Sequence, residues 1–106
     1  MARRTVILTF SSKKVLEKLG IRIKKARLRR NIRAEELAGR AGISTGTLNS
    51  IEKGAASVSI GAYVVVLQVL EMEKDLDSVA MDEEGKRRHP SLFGLERERA
   101  TKQKGE

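Results

Sequence analysis

Two glycines leave room for little but a pair of short helices between residues 34 and 54, where the chain reads AEELAGRAGISTGTLNSIEKG. Leu37, Ala38 and Ala41 recur at helical spacing, and Gly42 follows where a helix is usually closed. Ser44 then stands where a hydroxyl caps the next helix, which carries Leu48 and Ile51 inward, with Ile43 one turn earlier. This second helix is predicted to run to Lys53 and stop at Gly54. Its outward positions are unlike an ordinary solvated face. Ser44, Thr45, Thr47, Asn49 and Ser50 are small, uncharged donors and acceptors, where Glu or Lys would make a better helix. Such a face is either accidental or read by something.

The rest of the 106-residue chain allows one small domain with tails. The sequence has no Cys, which excludes disulfides and Cys-based zinc sites and suits a reducing cytosol. Its single His excludes a multi-His metal site, so neither a metal nor another cofactor is expected. The longest apolar run, AYVVVL at 62–67, is too short to cross a membrane. The opening MARRTVILTF is basic and then apolar, but too short for a secretion signal, with no small-residue cleavage site before Lys13 and Lys14. A cytoplasmic protein without a membrane partner is expected.

Charge is distributed unevenly. Residues 1–33 hold twelve Lys or Arg against one acid, Glu17; residues 34–86 hold four bases against ten acids. The last twenty residues are again basic, and the whole chain carries +8. That asymmetry favours a polyanionic partner such as nucleic acid. Only Phe10, Tyr63 and Phe93 are aromatic, which argues against base-stacking platforms for RNA or single strands.

TVILTF at 5–10 is the one convincing strand candidate. A lone strand cannot satisfy its own backbone, so this segment either pairs with another chain, its copy in a dimer being the expected one, or stays unstructured. From Ser11 or Ser12, Val15, Leu16, Leu19, Ile23 and Ala26 predict a first helix with basic residues on its opposite face, stopping near Asn31. Ser57 or Ser59 opens another at about Ile60–Leu70, with Tyr63, Val66, Leu67 and Leu70 inward. The valines at 64–66 have strand propensity, but the long apolar pattern and capping serine favour helix. A last short helix is expected at 73–80 with Leu76 and Val79 inward. The expected organisation is an arm over 1–11, a domain over 12–81, and a polar tail over 82–106, with a turn of helix around Leu92–Arg99 when a partner is bound.

Helix, Gly-containing turn, helix is the arrangement in which a second helix lies in the DNA major groove. Ala38 allows close approach, Gly42 the tight turn, and Ser and Thr hydroxyls can meet groove donors or acceptors. The stretch LGIRIKKARLRRNIRAEELAGRAGISTGTLNSIEKG resembles the phage-repressor-type (XRE, Cro-like) helix-turn-helix family. Leu19, Ile23, Ile32, Leu37, Ala38, Gly42, Ile43, Leu48, Ile51, Glu52 and Gly54 stand at its signature positions. The flanks VLEKLGIRIKKARLRR, VSIGAYVVVLQVLEMEKDLDSVA and FGLERERATK resemble HipB-like antitoxins, although the chain ends ATKQKGE where such tails often end near Pro-Lys-Arg-Val. The resemblance implies an all-α, lambda-repressor-like bundle of about five helices. It also implies a homodimer on a palindromic double-stranded DNA operator, repressing its own operon and holding a HipA-like kinase toxin.

Carried over by position, the resemblance puts Ser44, Thr45 and Gly46 against bases, with Asn49 at their margin. Thr47 and Ser50, together with Arg29, Arg30, Arg33 and Lys53, are the expected DNA-backbone contacts. Arg27 and Glu52 match a pair that joins the first and third helices as a structural ion pair. Two departures stand out. The family usually carries Ser or Thr followed by Gln where this chain has Arg33 and Ala34, so a phosphate clamp is missing and Arg33 can supply only charge. Gly46 has no side chain, which shifts specificity toward Ser44, Thr45 and DNA shape, and affinity toward electrostatics. A stand-alone regulator and a protein-interaction adaptor with a degenerate helix-turn-helix are the alternatives. An enzyme is not expected: no nucleophile–base pair is recognisable, and His89 lies beside Pro90 in the polar tail.

Overall fold

In the computed structural model the described residues are 6–82. They form α1 (Phe10–Arg29), α2 (Ala34–Ala41), α3 (Thr45–Glu52) and α4 (Ile60–Val69), followed by a 3-10 helix at Glu73–Ser78. Among the described residues the fold is all-α, with no strand. The chain divides into two units, Met1–Leu76 and Asp77–Glu106.

Local chemistry sets the helix ends in the first unit. Thr9, Ser44 and Ser59 cap α1, α3 and α4, their hydroxyls accepting the backbone N–H of Ser12, Thr47 and Ala62. All four α-helices close in the same way, through a left-handed residue at Asn31, Gly42, Glu71 or Gly54. At each, the next residue's N–H reaches back to a carbonyl of the last turn: Ile32 to Arg27, Ile43 to Ala38, Ala55 to Ser50, Met72 to Leu67. These closures confine α2 and α3 to eight residues each.

Packing then chooses the faces. α3 lies between α1 and α2, and α2 also packs on α4. Ile23, Ala26, Leu37, Ala38, Leu48, Ile51, Tyr63, Val66, Leu67 and Leu70 are buried in one core. Leu16, Leu19, Ile32, Ala41, Ile43 and Leu76 pack around it, half-buried. The valine run of α4 is helical because a helix apolar on most sides can be buried against neighbours, and that burial outweighs β propensity. The Tyr63 hydroxyl donates to the Ala55 carbonyl at 2.7 Å, tying α4 to the loop that follows α3. Burial raises the Tyr63 pKa, since ionisation would leave a charge at the edge of the core.

The structure corrects three readings. Phe10, read as the end of a strand candidate, belongs to α1, because Thr9 caps the helix ahead of Ser11 and Ser12. Val15 is 65% exposed: the buried stripe of α1 runs through Gly20, Ile23, Ala26 and Arg27, and Val15 falls off it. The last helix is a 3-10 turn that stops at Ser78, so Val79 is past its end and exposed. In the second unit Ala80 takes a left-handed φ of 64°. The readings made for residues 83–106, including Leu92–Arg99, His89 and Pro90, and for Thr5 and the basic residues before it, lie outside the described residues.

Candidate nucleic-acid interface

α3 takes its orientation from what holds its two ends. At its N-terminus the Ser44 hydroxyl accepts the Thr47 N–H at 3.0 Å and donates to Thr47 Oγ1 at 3.0 Å. The Ser44 oxygen is therefore committed to the cap, and the two hydroxyls share one hydrogen bond. Ser44 can still accept, but its first duty is to close the helix. Thr45, Gly46 and Asn49 are exposed on α3, while Thr47 and Ser50 are half-buried. Thr45 and Asn49 are one turn apart and so share a face.

At the other end, Arg27 binds Glu52 in a fork. Its Nε–H donates to Glu52 Oε2 at 2.7 Å and its Nη2–H to Oε1 at 3.1 Å, both buried. The third arm, Nη1–H, donates to the Ile32 carbonyl at 3.0 Å. One guanidinium thus joins α1, the loop before α2 and the last turn of α3. The Glu52 hydrogen bond raises the Arg27 pKa, outweighing the lowering effect of burial. Glu52 sits at a helix C-terminus, where a negative charge is disfavoured by the backbone dipole, and Arg27 offsets it.

Gly20 completes the seat of α3 and was not singled out in the sequence. It is buried, and a Cβ there would lie 2.6 Å from the Glu52 carbonyl oxygen and 2.7 Å from Gly54 N and Ile51 O. On the opposite side, a Cβ on Gly54 would lie 2.5 Å from the Leu16 carbonyl oxygen. The backbones of α1 and the α3 terminus meet through these two glycines. Gly20 was legible in principle: a glycine within a helical pattern, on the stripe between Leu16 and Ile23, marks close approach.

The basic residues lie around this frame. Arg29, Arg30 and Lys53 are exposed at the helix ends of α1 and α3. Arg30 turns one arm inward, its Nη1–H donating to the Ala26 carbonyl at 2.8 Å. On α2, Arg40 is paired with Glu36 at 2.8 Å in an exposed bridge, of small energetic weight. Arg33 is exposed at the N-cap of α2, the only one of the four α-helices without a side-chain cap. Arg33→Ser is therefore expected to stabilise the domain by about 1 kcal/mol by capping α2. If Arg33 meets a phosphate, the same change will weaken duplex binding and lower its log–log salt slope by about one. Thermal melts and fluorescence-anisotropy titrations at several salt concentrations measure both; an unchanged slope would remove Arg33 from the interface.

Two short helices joined by a tight glycine turn, the second held at both ends with polar residues outward, form a helix-turn-helix unit. The family model of the helix-turn-helix domain matches residues 18–79, more than half of the chain, and the chain belongs to that family. It is by class a DNA-binding regulator. No curated protein matches it. No helix among the described residues is long and apolar enough to cross a membrane.

Proposed function

We propose that the protein is a sequence-specific transcriptional repressor that binds a palindromic operator as a homodimer and acts by binding rather than catalysis. The observation that carries this reading is the outward face of α3, where exposed Thr45 and Asn49 stand on a helix anchored at both ends. The basic residues of α1 and Arg33 supply non-specific attraction to phosphate. A single unit reaches few base edges, so two units on a palindrome are the natural route to useful affinity. Its particular role, in this proposal, is that of an antitoxin: it represses its own toxin–antitoxin operon and neutralises a HipA-like kinase. The likeness of the flanking segments to HipB-like antitoxins supports that part.

The test is a titration of the protein against the duplex upstream of its own coding region, with excess non-specific competitor, at two salt concentrations. Thr45→Ala and Asn49→Ala are the informative variants, because Ser44→Ala would also remove the α3 cap. Each is expected to weaken specific binding by about 1–3 kcal/mol while leaving the melting temperature nearly unchanged. Binding no tighter than to random DNA would refute operator recognition. Light scattering that shows only monomer, free and on DNA, would refute the dimer. Co-purification with the product of an adjacent kinase gene tests the antitoxin role; its absence would leave a stand-alone regulator.

A further inference from the structure

Helix α1 carries apolar residues on two faces. Its inner stripe, Gly20, Ile23, Ala26 and Arg27, is buried. On the outer face Ile21 and Leu28 are 50% and 53% exposed. They stand two helical turns apart, and Lys24 and Lys25 fill the space between them. The four residues form one patch, two apolar side chains flanked by two ammonium groups. Neither lysine forms an ion pair among the described residues. Phosphate attracts the lysines but offers nothing to Ile21 and Leu28, so DNA suits only half of this patch. A protein surface of opposite charge, with apolar residues of its own, suits all of it.

The first unit carries such a surface itself. Residues 71–76 read EMEKDL, with Glu71, Glu73 and Asp75 against the single base Lys74. Glu71 and Glu73 form no ion pair among the described residues. Met72 and Leu76 rest against the core but are only half-buried, so each leaves an apolar edge in solvent. We propose that in the homodimer the Ile21–Leu28 patch of one copy docks on the 71–76 segment of the other. A two-fold axis makes this contact twice, with lysines facing acids both times. The inference rests on the homodimer proposed above and names the surfaces that form it. Lys24 and Lys25 are thereby set apart from the α1 residues that attract phosphate.

Charge reversal tests this, on the full chain and without DNA. Lys24→Glu with Lys25→Glu gives a chain acidic on both surfaces, and Glu71→Lys with Glu73→Lys gives one basic on both. None of the four side chains is buried, so circular dichroism should show parental helix content in each variant. Sedimentation equilibrium is expected to show the parent dimer weakening as salt rises. Each reversed chain should dimerise about tenfold or more weakly than the parent. Mixing the two reversed chains should restore a dimer of parental strength, because acids then face lysines at both contacts. Ile21→Gln with Leu28→Gln should weaken the dimer at high salt as well as low. Parental dimerisation by either reversed chain, or a mixture that stays monomeric, overturns the proposal. A Lys24 and Lys25 reversal that still dimerises but loses duplex affinity overturns it too, and gives the patch to DNA. If the parent is monomeric at every concentration, the homodimer reading fails and this inference falls with it; the parent alone tells that outcome apart.

Discussion

Arg27→Ala is expected to lower the unfolding free energy by about 3–5 kcal/mol, because it strands a buried carboxylate. Glu52 is 9% exposed, and both of its oxygens accept from Arg27. The Ile32 carbonyl would lose its side-chain donor at the same time. Domains of this size are stable by about 5–15 kcal/mol, so the single variant should be close to unfolding at 37 °C. The paired replacement Arg27→Met with Glu52→Leu is expected to recover most of the loss, since an apolar pair of similar volume carries no stranded charge. Urea denaturation of the single and paired variants measures the difference. A paired variant that folds and still binds duplex DNA with parental affinity would establish that the ion pair seats α3 and does not contact DNA. A single variant within about 1 kcal/mol of the parent would overturn the structural role.

Gly20→Ala carries the second large effect, and two terms of opposite sign decide it. Alanine inside a helix gains about 1 kcal/mol over glycine. Against that, the new methyl would lie 2.6–2.7 Å from three backbone atoms of the α3 terminus, none of which can turn aside as a side-chain tip would. Forced repacking of that kind costs about 1–3 kcal/mol and more where backbone must move. The clash should win, leaving a net loss of about 2 kcal/mol. Gly39→Ala, with open space around it, should instead be stabilised. Opposite signs for two Gly→Ala changes in neighbouring helices, read by thermal melts, would show that contact and not propensity governs position 20. A stabilised Gly20→Ala would mean that α1 does not approach α3 so closely.

The helix-turn-helix was legible because its punctuation is local. Gly42, Ser44 and Gly54 act through their own backbone or within a single turn, and the bounds read for α2 are those observed, with α3 ending one residue before Lys53. The inward set of α4 was legible for the same kind of reason: Tyr63, Val66, Leu67 and Leu70 repeat at helical spacing, and all four are buried. The misreadings fell at the edges. TVILTF has the composition of a strand, yet Thr9 is also a good N-cap, and capping by three-residue spacing won over β propensity at Phe10. Val15 and Val79 are apolar residues beside an apolar stripe, and periodicity over so few turns does not say which side of the stripe is covered.

On the site, sequence and structure contribute different things. Residue types and spacing alone determined that α3 would be short, capped by Ser44, polar outward and closed at Gly54, since each of those properties is settled within about four residues along the chain. How that helix is held came only from tertiary structure. The fork of Arg27 on Glu52 spans 25 positions, and the Gly20 contact joins α1 to the end of α3. Tyr63 reaches back to the loop at Ala55. Local structure follows from dihedral preferences and nearby hydrogen bonds. Burial, close backbone approach and the pairing of distant charges exist only once the helices are packed, and they decide how rigidly the polar face of α3 is presented.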